Sequence, residues 1–391
     1  MLNNLWYPKQ APLQGLTGLW GGLSSNLTGG AEEEFWPVDG YFTFTTGGAG
    51  RGLSGRSQTQ LRTWYTSNYT GSRSETNGDP GDFSNLDSEI VTTMMTDTDY
   101  YGCSGNGNQY VVIKDTGTWE IFIAGCSGTD SNGGGTGQSF TMKFKGTIGL
   151  NKDDILFFAI GQMGEYGNDQ YNSGGSGGTF VYKGTTGGGT HTLLAVAGGG
   201  GGTSDNTPST SGDSPWQNAP VNSSSGQPGR DSNHTTQGQP GGSSGNRGNF
   251  APFGYSAGPG GGWLTTTNVE KSGHSCPQYP ESPHSGKGYD GPNSATTPPS
   301  TAFLGGFGYS DCQTYLRGGF GGGGGGSGAC CSSGSGGGGG YSGGGVGTDC
   351  CSSTGGGGGM YDAAPGFTVT SPGAAHDTSA DGGFFRLKRT A

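Results

Sequence analysis

"GGFGGGGGGSGACCSSGSGGGGGYSGGGVGTDCCSSTGGGGG", residues 318–359, decides how this chain is read. Glycine outnumbers every other residue in it, and two copies of Cys-Cys-Ser-Ser, at 330–333 and 350–353, punctuate it. Glycine has no side chain to bury and loses more backbone freedom on ordering than any other residue, so the default expectation is a flexible tether. A tether gains nothing from four cysteines set beside its glycine runs. Collagen is not the template either, because it needs glycine only at every third position. A helix of the polyproline-II type made wholly of glycine is a different object. It rises about 3.1 Å per residue, so five or six glycines span roughly 15–19 Å. It has no internal hydrogen bonds, and its N–H and C=O groups must find partners on neighbouring chains when buried. Several such helices side by side form a lattice with almost no hydrophobic driving force. Each backbone bond in it contributes on the order of 1 kcal/mol, and a disulfide at its edge about 2–4 kcal/mol. The cysteines at 276, 312, 330, 331, 350 and 351 flank the runs, where such staples help most, which favours order.

Across the whole chain, 91 glycines and a 28% hydrophobic content in 391 residues limit the protein to one modest core. The net charge of −11 and the scattered basic residues argue against nucleic acid as a partner. No apolar run approaches the length of a membrane span, and the opening "MLNNLWYPKQAPLQG" has neither a basic leader nor an apolar stretch, so neither membrane insertion nor a signal peptide is expected. Eight cysteines nevertheless suggest disulfides and an oxidising destination. A protein made in a cytoplasm, built into a particle and released satisfies both, as does a chain whose signal has been removed. Asn-x-Ser/Thr sequons at Asn26, Asn68, Asn222 and Asn233 do not arbitrate, since such a composition produces them by chance.

Residues 1–38 carry Trp6, Tyr7, Trp20 and Trp36 with no clear period and are read as an extended docking arm. From residue 39 the pattern changes to short strands: 41–46, 118–125, 139–150, 154–161, 179–184, 191–197, 366–371 and 383–389, each rich in β-branched or aromatic residues and bounded by turn formers. Phe140, Met142 and Phe144 alternate with Thr141, Lys143 and Lys145, one face for a core and one for water. No amphipathic helix of convincing length is found. The prediction is a mainly β protein: an antiparallel sandwich in two parts, 39–197 and 360–391, with a glycine-rich polyglycine-II insertion with long polar loops at 198–359. The two ends of the insertion must return to nearly the same place.

"FTFTTGGAGRG" (42–52), "NQYVVIKDTGTWEIFIAGCSG" (108–128), "LNKDDILFFAIGQMGE" (150–165), "LLAVAGGGGG" (193–202), "GHSCPQ" (273–278), "RGGFGGGGGGSGACCSSGSGGGGGYSGG" (317–344), "GFTVTSP" and "GFFRLKR" together resemble the extracellular glycine-rich domain of the anaplastic lymphoma kinase and leukocyte tyrosine kinase receptors, in the same order. The resemblance implies a tumour-necrosis-factor-like sandwich carrying a hexagonal bundle of polyglycine-II helices. It does not carry receptor signalling, because no transmembrane helix, kinase or cysteine-rich module accompanies it, and the doubled Cys-Cys pairs depart from the receptors. In architecture alone, a glycine bundle also resembles the receptor-binding tips of T-even-type phage tail-fibre adhesins.

No catalytic site, cofactor or metal is expected. Gly-x-Gly-x-x-Gly matches are uninformative in such a chain, and none opens a helix. His274 beside Cys276 lacks a second pair at zinc-ligand spacing. Asp153 and Asp154 read as a turn, and calcium at the acidic stretch 96–99 is a weaker alternative to a solvated turn. The disulfide candidates are Cys103 with Cys126, Cys330 or Cys331 with Cys350 or Cys351, and Cys276 with Cys312. Two functions remain. The first is a non-enzymatic virion appendage that docks on other particle proteins through its arm and presents loops to a host-surface glycan or protein. Its candidate contacts are Trp216, Phe253, Tyr255, Tyr279, Tyr289, Phe307 and Tyr309, for each of which packing against the bundle is the alternative. The second is a secreted or cell-surface matrix or ligand-binding protein. Either is placed on a virion surface or outside the cell. A homotrimer is left open.

Overall fold

The structure, a computed structural model, describes residues 34–47, 52, 54–68, 84–103, 106–128, 141–166, 173–184, 191–203, 218–230, 238–250, 257–266, 285–289, 302–308, 316–327, 334–347, 354–376 and 382–391. Ten strands are formed: β1 (Tyr41–Thr45), β2 (Tyr101–Cys103), β3 (Gln109–Val112), β4 (Gly117–Ala124), β5 (Thr141–Leu150), β6 (Ile155–Ala159), β7 (Thr179–Gly184), β8 (Thr192–Ala197), β9 (Thr368–His376) and β10 (Phe384–Arg389). They make two antiparallel five-stranded sheets, β1-β10-β4-β5-β9 and β2-β3-β6-β7-β8. The eight strands expected from the sequence are all present. β2 and β3 are additions, three and four residues long and too short to register as periodic.

The two sheets enclose one core. Phe158 of β6 meets Phe44 of β1 and Phe385 of β10, each at 4.7 Å between ring centroids. Trp119, Ile121, Ile123, Phe144 and Leu387 fill the rest. In the first sheet one face is apolar: β5 buries Phe144 and Ile148 and leaves Lys143, Lys145 and Thr147 partly exposed. The second sheet is buried on both faces. Leu156, Phe158, Val181 and Ala195 face the sandwich core, whereas Ile155, Phe157, Phe180, Tyr182 and Val196 belong to a second cluster. Continuous burial explains why "ILFFA" and "LLAVA" read as unbroken apolar runs rather than alternating ones.

Two helices correct the expectation of none: α1 (Gln58–Asn68) and α2 (Ser88–Thr96). Their buried stripes are only Leu61 and Tyr65, and Val91, Met94 and Met95, too brief for periodicity to declare. A capping signal does precede α1, since Gln60 Oε1 accepts from the Ser57 N–H at 3.0 Å. Tyr65 sits edge-on to Phe42, Phe44 and Tyr101, and its hydroxyl donates to Thr45 O at 2.9 Å. The helices thereby close the side of the sandwich where β1 and β2 are the edge strands.

Trp36 is also a correction. It is not part of a docking arm but a core residue, 3% exposed and edge-on to Trp119. Its indole N–H donates to Gly40 O at 2.8 Å, and its carbonyl accepts from the buried Arg389 guanidinium at 2.7 Å. Arg389 also pairs with Glu34 at 2.8 Å, so the sandwich begins by residue 34 rather than 39. Trp6, Tyr7 and Trp20 lie outside the described residues.

The glycine tracts form the predicted lattice. Segment 336–340 is bonded by its backbone to six others. Gly336 and Gly339 donate to Ser173 and Ser176; Gly337 and Gly340 donate to Gly258 and Gly261; Gly338 donates to Gly356. The same segment accepts from Gly199 and Gly202, from Gly324, and from Gly344. Partners recur every third residue, the repeat of a three-per-turn helix. Six neighbours around one axis is hexagonal packing. Three run parallel to 336–340 (173–178, 258–262 and 354–359) and three antiparallel (198–202, 322–326 and 342–347), as their hydrogen-bond registers require. The parallel segment 173–178 belongs to the β6–β7 connection, so the bundle draws on chain outside 198–359.

Cys103 and Cys126 are not bridged to each other. Cys103 ends β2, an edge strand, whereas Cys126 donates from its backbone to Gly177, which leads into β7. Three strand spacings of about 4.8 Å separate β2 from β7, roughly 14 Å, and a disulfide needs Cα atoms within about 7 Å.

Candidate functional site

The bundle has two unlike ends, and chain direction distinguishes them. Residues 178 and 198 adjoin β7 and β8, and Tyr361 pairs with Val196, so this end abuts the sandwich. Ser173, Gly202, Gly336 and Gly355 lie together at the opposite end, joined by Gly336→Ser173, Gly202→Gly336 and Gly355→Gly202 bonds.

At the sandwich end the bundle is seated on an aromatic layer. Trp263 and Tyr289 stack at 4.3 Å and 6°, Phe303 lies 4.5 Å from Phe180, and Tyr182 contacts Trp263, Tyr289 and Phe303. Tyr289 Oη is hydrogen-bonded to His191 Nδ1. His191 Nε2 and Tyr182 Oη are buried without a partner among the described residues. Burial lowers the His191 pKa and raises that of Tyr182 well above its ordinary value. His191, Tyr182 and Tyr289 in this layer are therefore each held toward the neutral form by burial.

Of the recognition candidates, Tyr289 is a member of that layer. Phe307 is half-buried with the Arg317 guanidinium 5.9 Å above its ring, on the flank of the bundle. Packing against the bundle is thus what the structure assigns to both. Trp216, Phe253, Tyr255, Tyr279 and Tyr309 lie outside the described residues, as do Cys276, Cys312, Cys330, Cys331, Cys350, Cys351 and His274.

The anchors of several of these segments are nevertheless fixed. Tyr166 bridges Ser173, Ser327 bridges Gly334 and Arg230 bridges Thr354, all at the end away from the sandwich. Gly258 bonds Gly325 there, and Gly326 bonds Leu316. The described residues that flank the intervals 328–333, 348–353, 251–256 and 309–315 are therefore gathered at that one end. Those intervals contain Cys330 and Cys331, Cys350 and Cys351, Phe253 and Tyr255, and Tyr309 and Cys312 respectively. Sequence alone could not convey this convergence, because it depends on the direction of each helix.

The acidic stretches are turns. Asp153 has a φ of 69°, and Asp154 accepts from Asn151 N–H and pairs with Lys183 at 2.6 Å. Asp97 caps α2 and accepts from the Asp99 N–H at 2.9 Å. Among the described residues no group of three or more His, Cys, Asp or Glu could hold a metal, and no helix is long and apolar enough to cross a membrane. No known protein-family profile matches the chain, and no curated protein matches it significantly.

Proposed function

We propose that this chain is a non-enzymatic structural and adhesive surface protein, in which the sandwich is a platform and the glycine bundle a stiff stalk that presents loops to a host-surface glycan or protein. The observation that carries the reading is the convergence of four chain intervals on the end of the bundle away from the sandwich, around a helix bonded on all six sides. A lattice whose central helix, 336–340, carries no side chains has little use as a solvent-excluding core, but it holds many loop ends at fixed spacing. Recognition loops on a rigid scaffold lose less entropy on binding. A virion appendage is the particular form proposed, with residues before 34 docking on other particle proteins. The likeness to the receptors' glycine-rich domain belongs to the same proposal, supported by a sandwich that carries polyglycine-II helices.

The test is binding of labelled protein to host cells. Phe253→Ala with Tyr255→Ala, and separately Tyr309→Ala, are expected to leave thermal stability unchanged and to reduce cell binding. Unchanged binding in all of them removes the far-end loops from recognition. A chain beginning at residue 34 is expected to fold, bind cells and fail to join its particle; a cleaved leader with occupied sequons in the natural protein favours the matrix reading instead.

A further inference from the structure

A cleft of about 360 Å³ opens on the sandwich end of the bundle, far from the loops just discussed, and is lined by Asn222, Ser224, Tyr341, Met360, Tyr361 and Asp362. Among the lining residues Tyr341 and Tyr361 stack on each other, with ring centroids 4.8 Å apart and planes at 28°. Each wall is held by backbone. Tyr341 N–H donates to Gly359 O, Met360 N–H to Ser223 O, and Tyr361 exchanges both backbone bonds with Val196 of β8. The Asn222 amide, the Ser224 hydroxyl, the Asp362 carboxylate and both tyrosine hydroxyls make no hydrogen bond with the described residues, so their polar functions are uncommitted. Half-buried aromatic faces beside planar donors and acceptors, on a backbone that does not rearrange, suit a ligand with apolar ring faces and many hydroxyls.

We infer that this cleft is a binding site for a neutral saccharide, a hexopyranose or N-acetylhexosamine end group. An outer face of the Tyr341–Tyr361 stack receives the C–H face of the ring, Asp362 and Ser224 accept from its hydroxyls, and Asn222 both donates and accepts. The volume lies near the lower end of the roughly 300–1,000 Å³ typical of small-ligand sites, which fits a terminal sugar rather than a long chain. Asp362 and the net charge of −11 disfavour anionic sugars. None of the loop aromatics takes part, so the site stands apart from the far-end reading.

The test uses the full chain made in bacteria, because Asn222 also begins a sequon that a eukaryotic host could glycosylate. Methyl glycosides of glucose, galactose and mannose, N-acetylglucosamine, and glucuronic acid as the anionic probe are titrated by calorimetry and by ligand-observed NMR. At least one neutral sugar is expected to bind saturably. Tyr361→Leu and Asp362→Ala are each expected to weaken it about tenfold, the scale of one lost stacking or polar contact. Glucuronate is expected to bind more weakly than the neutral sugar, and Asp362→Asn to narrow the gap. Should Tyr361→Leu disturb the bundle, Asn222→Ala, on an exposed turn, reports on the same site without touching a packed residue. Absence of saturable binding by the wild-type chain overturns the site, and so does binding that Asn222→Ala and Asp362→Ala leave intact. The Phe253→Ala, Tyr255→Ala chain is expected to keep its sugar affinity here, which separates failure of this site from failure of the far-end loops.

Discussion

Replacing Gly338 with valine tests the lattice at its most enclosed helix. A Cβ there would lie 2.2 Å from Gly199 O, 2.8 Å from Gly200 O and 2.9 Å from Gly199 C, all backbone atoms of one neighbour. Reaching an ordinary contact near 3.5 Å requires that neighbour to move by more than 1 Å or so. Such a movement breaks or stretches Gly199→Gly339 and Gly202→Gly336, both 2.8 Å, and strains Gly358→Gly199 on the far side. Two to three backbone bonds at about 1 kcal/mol each, together with about 1–3 kcal/mol for overpacking, give roughly 3–6 kcal/mol. Gly149 provides the matched comparison, because it lies on the exposed face of β5 with nothing within 4 Å of a built Cβ. Valine at 149 is expected to be neutral or to stabilise by up to about 1 kcal/mol, since a strand favours a β-branched residue over glycine. The assays are thermal unfolding and amide exchange. Exchange across 198–202, 336–340 and 355–359 is expected to be slow in the wild-type chain and fast in Gly338→Val. Equal, small effects of valine at 149 and 338, with fast exchange through the tracts in both, would refute the packed bundle.

Trp36→Ala is expected to destabilise the chain by about 3–5 kcal/mol, the scale of removing a large buried aromatic, whereas a chain beginning at residue 34 is expected to unfold at the wild-type temperature. If a chain beginning at residue 39 proves equally stable, the assignment of Trp36 and Glu34 to the sandwich is wrong. His191 gives a pH signature: burial lowers its folded-state pKa, so below the ordinary value of about 6.5 the unfolded chain takes up a proton that the folded chain resists, and stability falls. The stability difference between wild type and His191→Gln is therefore expected to change below about pH 6.5 and to stay flat above it, and a difference constant from pH 5 to 7.5 would contradict the buried neutral imidazole. The Cys103 thiol, pushed up to about 12 by burial, is expected to react slowly with iodoacetamide at pH 8 in the folded state; labelling as fast as in denaturant would show that it is exposed.

Local composition was enough to expose the strands and the glycine helices, for separate reasons. β5 announced itself by alternation, because one of its faces meets water and the other, with Phe144 and Ile148, the sandwich core. β6 and β8 were legible as apolar runs, although the sequence did not say what covered their second face. The glycine helices could be inferred because a run with no Cβ has few ordered states open to it, and its bonds must be made outside the segment. What escaped were elements defined by very few residues. α1 rests on Leu61 and Tyr65, and the contribution of 173–178 to the bundle rests on a stretch no longer than many linkers.

The sequence by itself therefore determined the kinds of structure present: extended strands, naked helices and a division between apolar and glycine-rich chain. Only the tertiary structure decided which end of the bundle faces the sandwich, that Trp36 is core, that Cys103 and Cys126 stand apart, and that Tyr289 packs in the joint between bundle and sandwich. Each of those depends on groups far apart in the chain, such as Tyr289 with His191 across 98 positions and Arg389 with Trp36 across 353. A period of two or three residues reports on the environment of a segment, averaged along its own length. It carries no information about which distant segment supplies that environment, because that choice is made by packing and by the direction of each helix in the lattice.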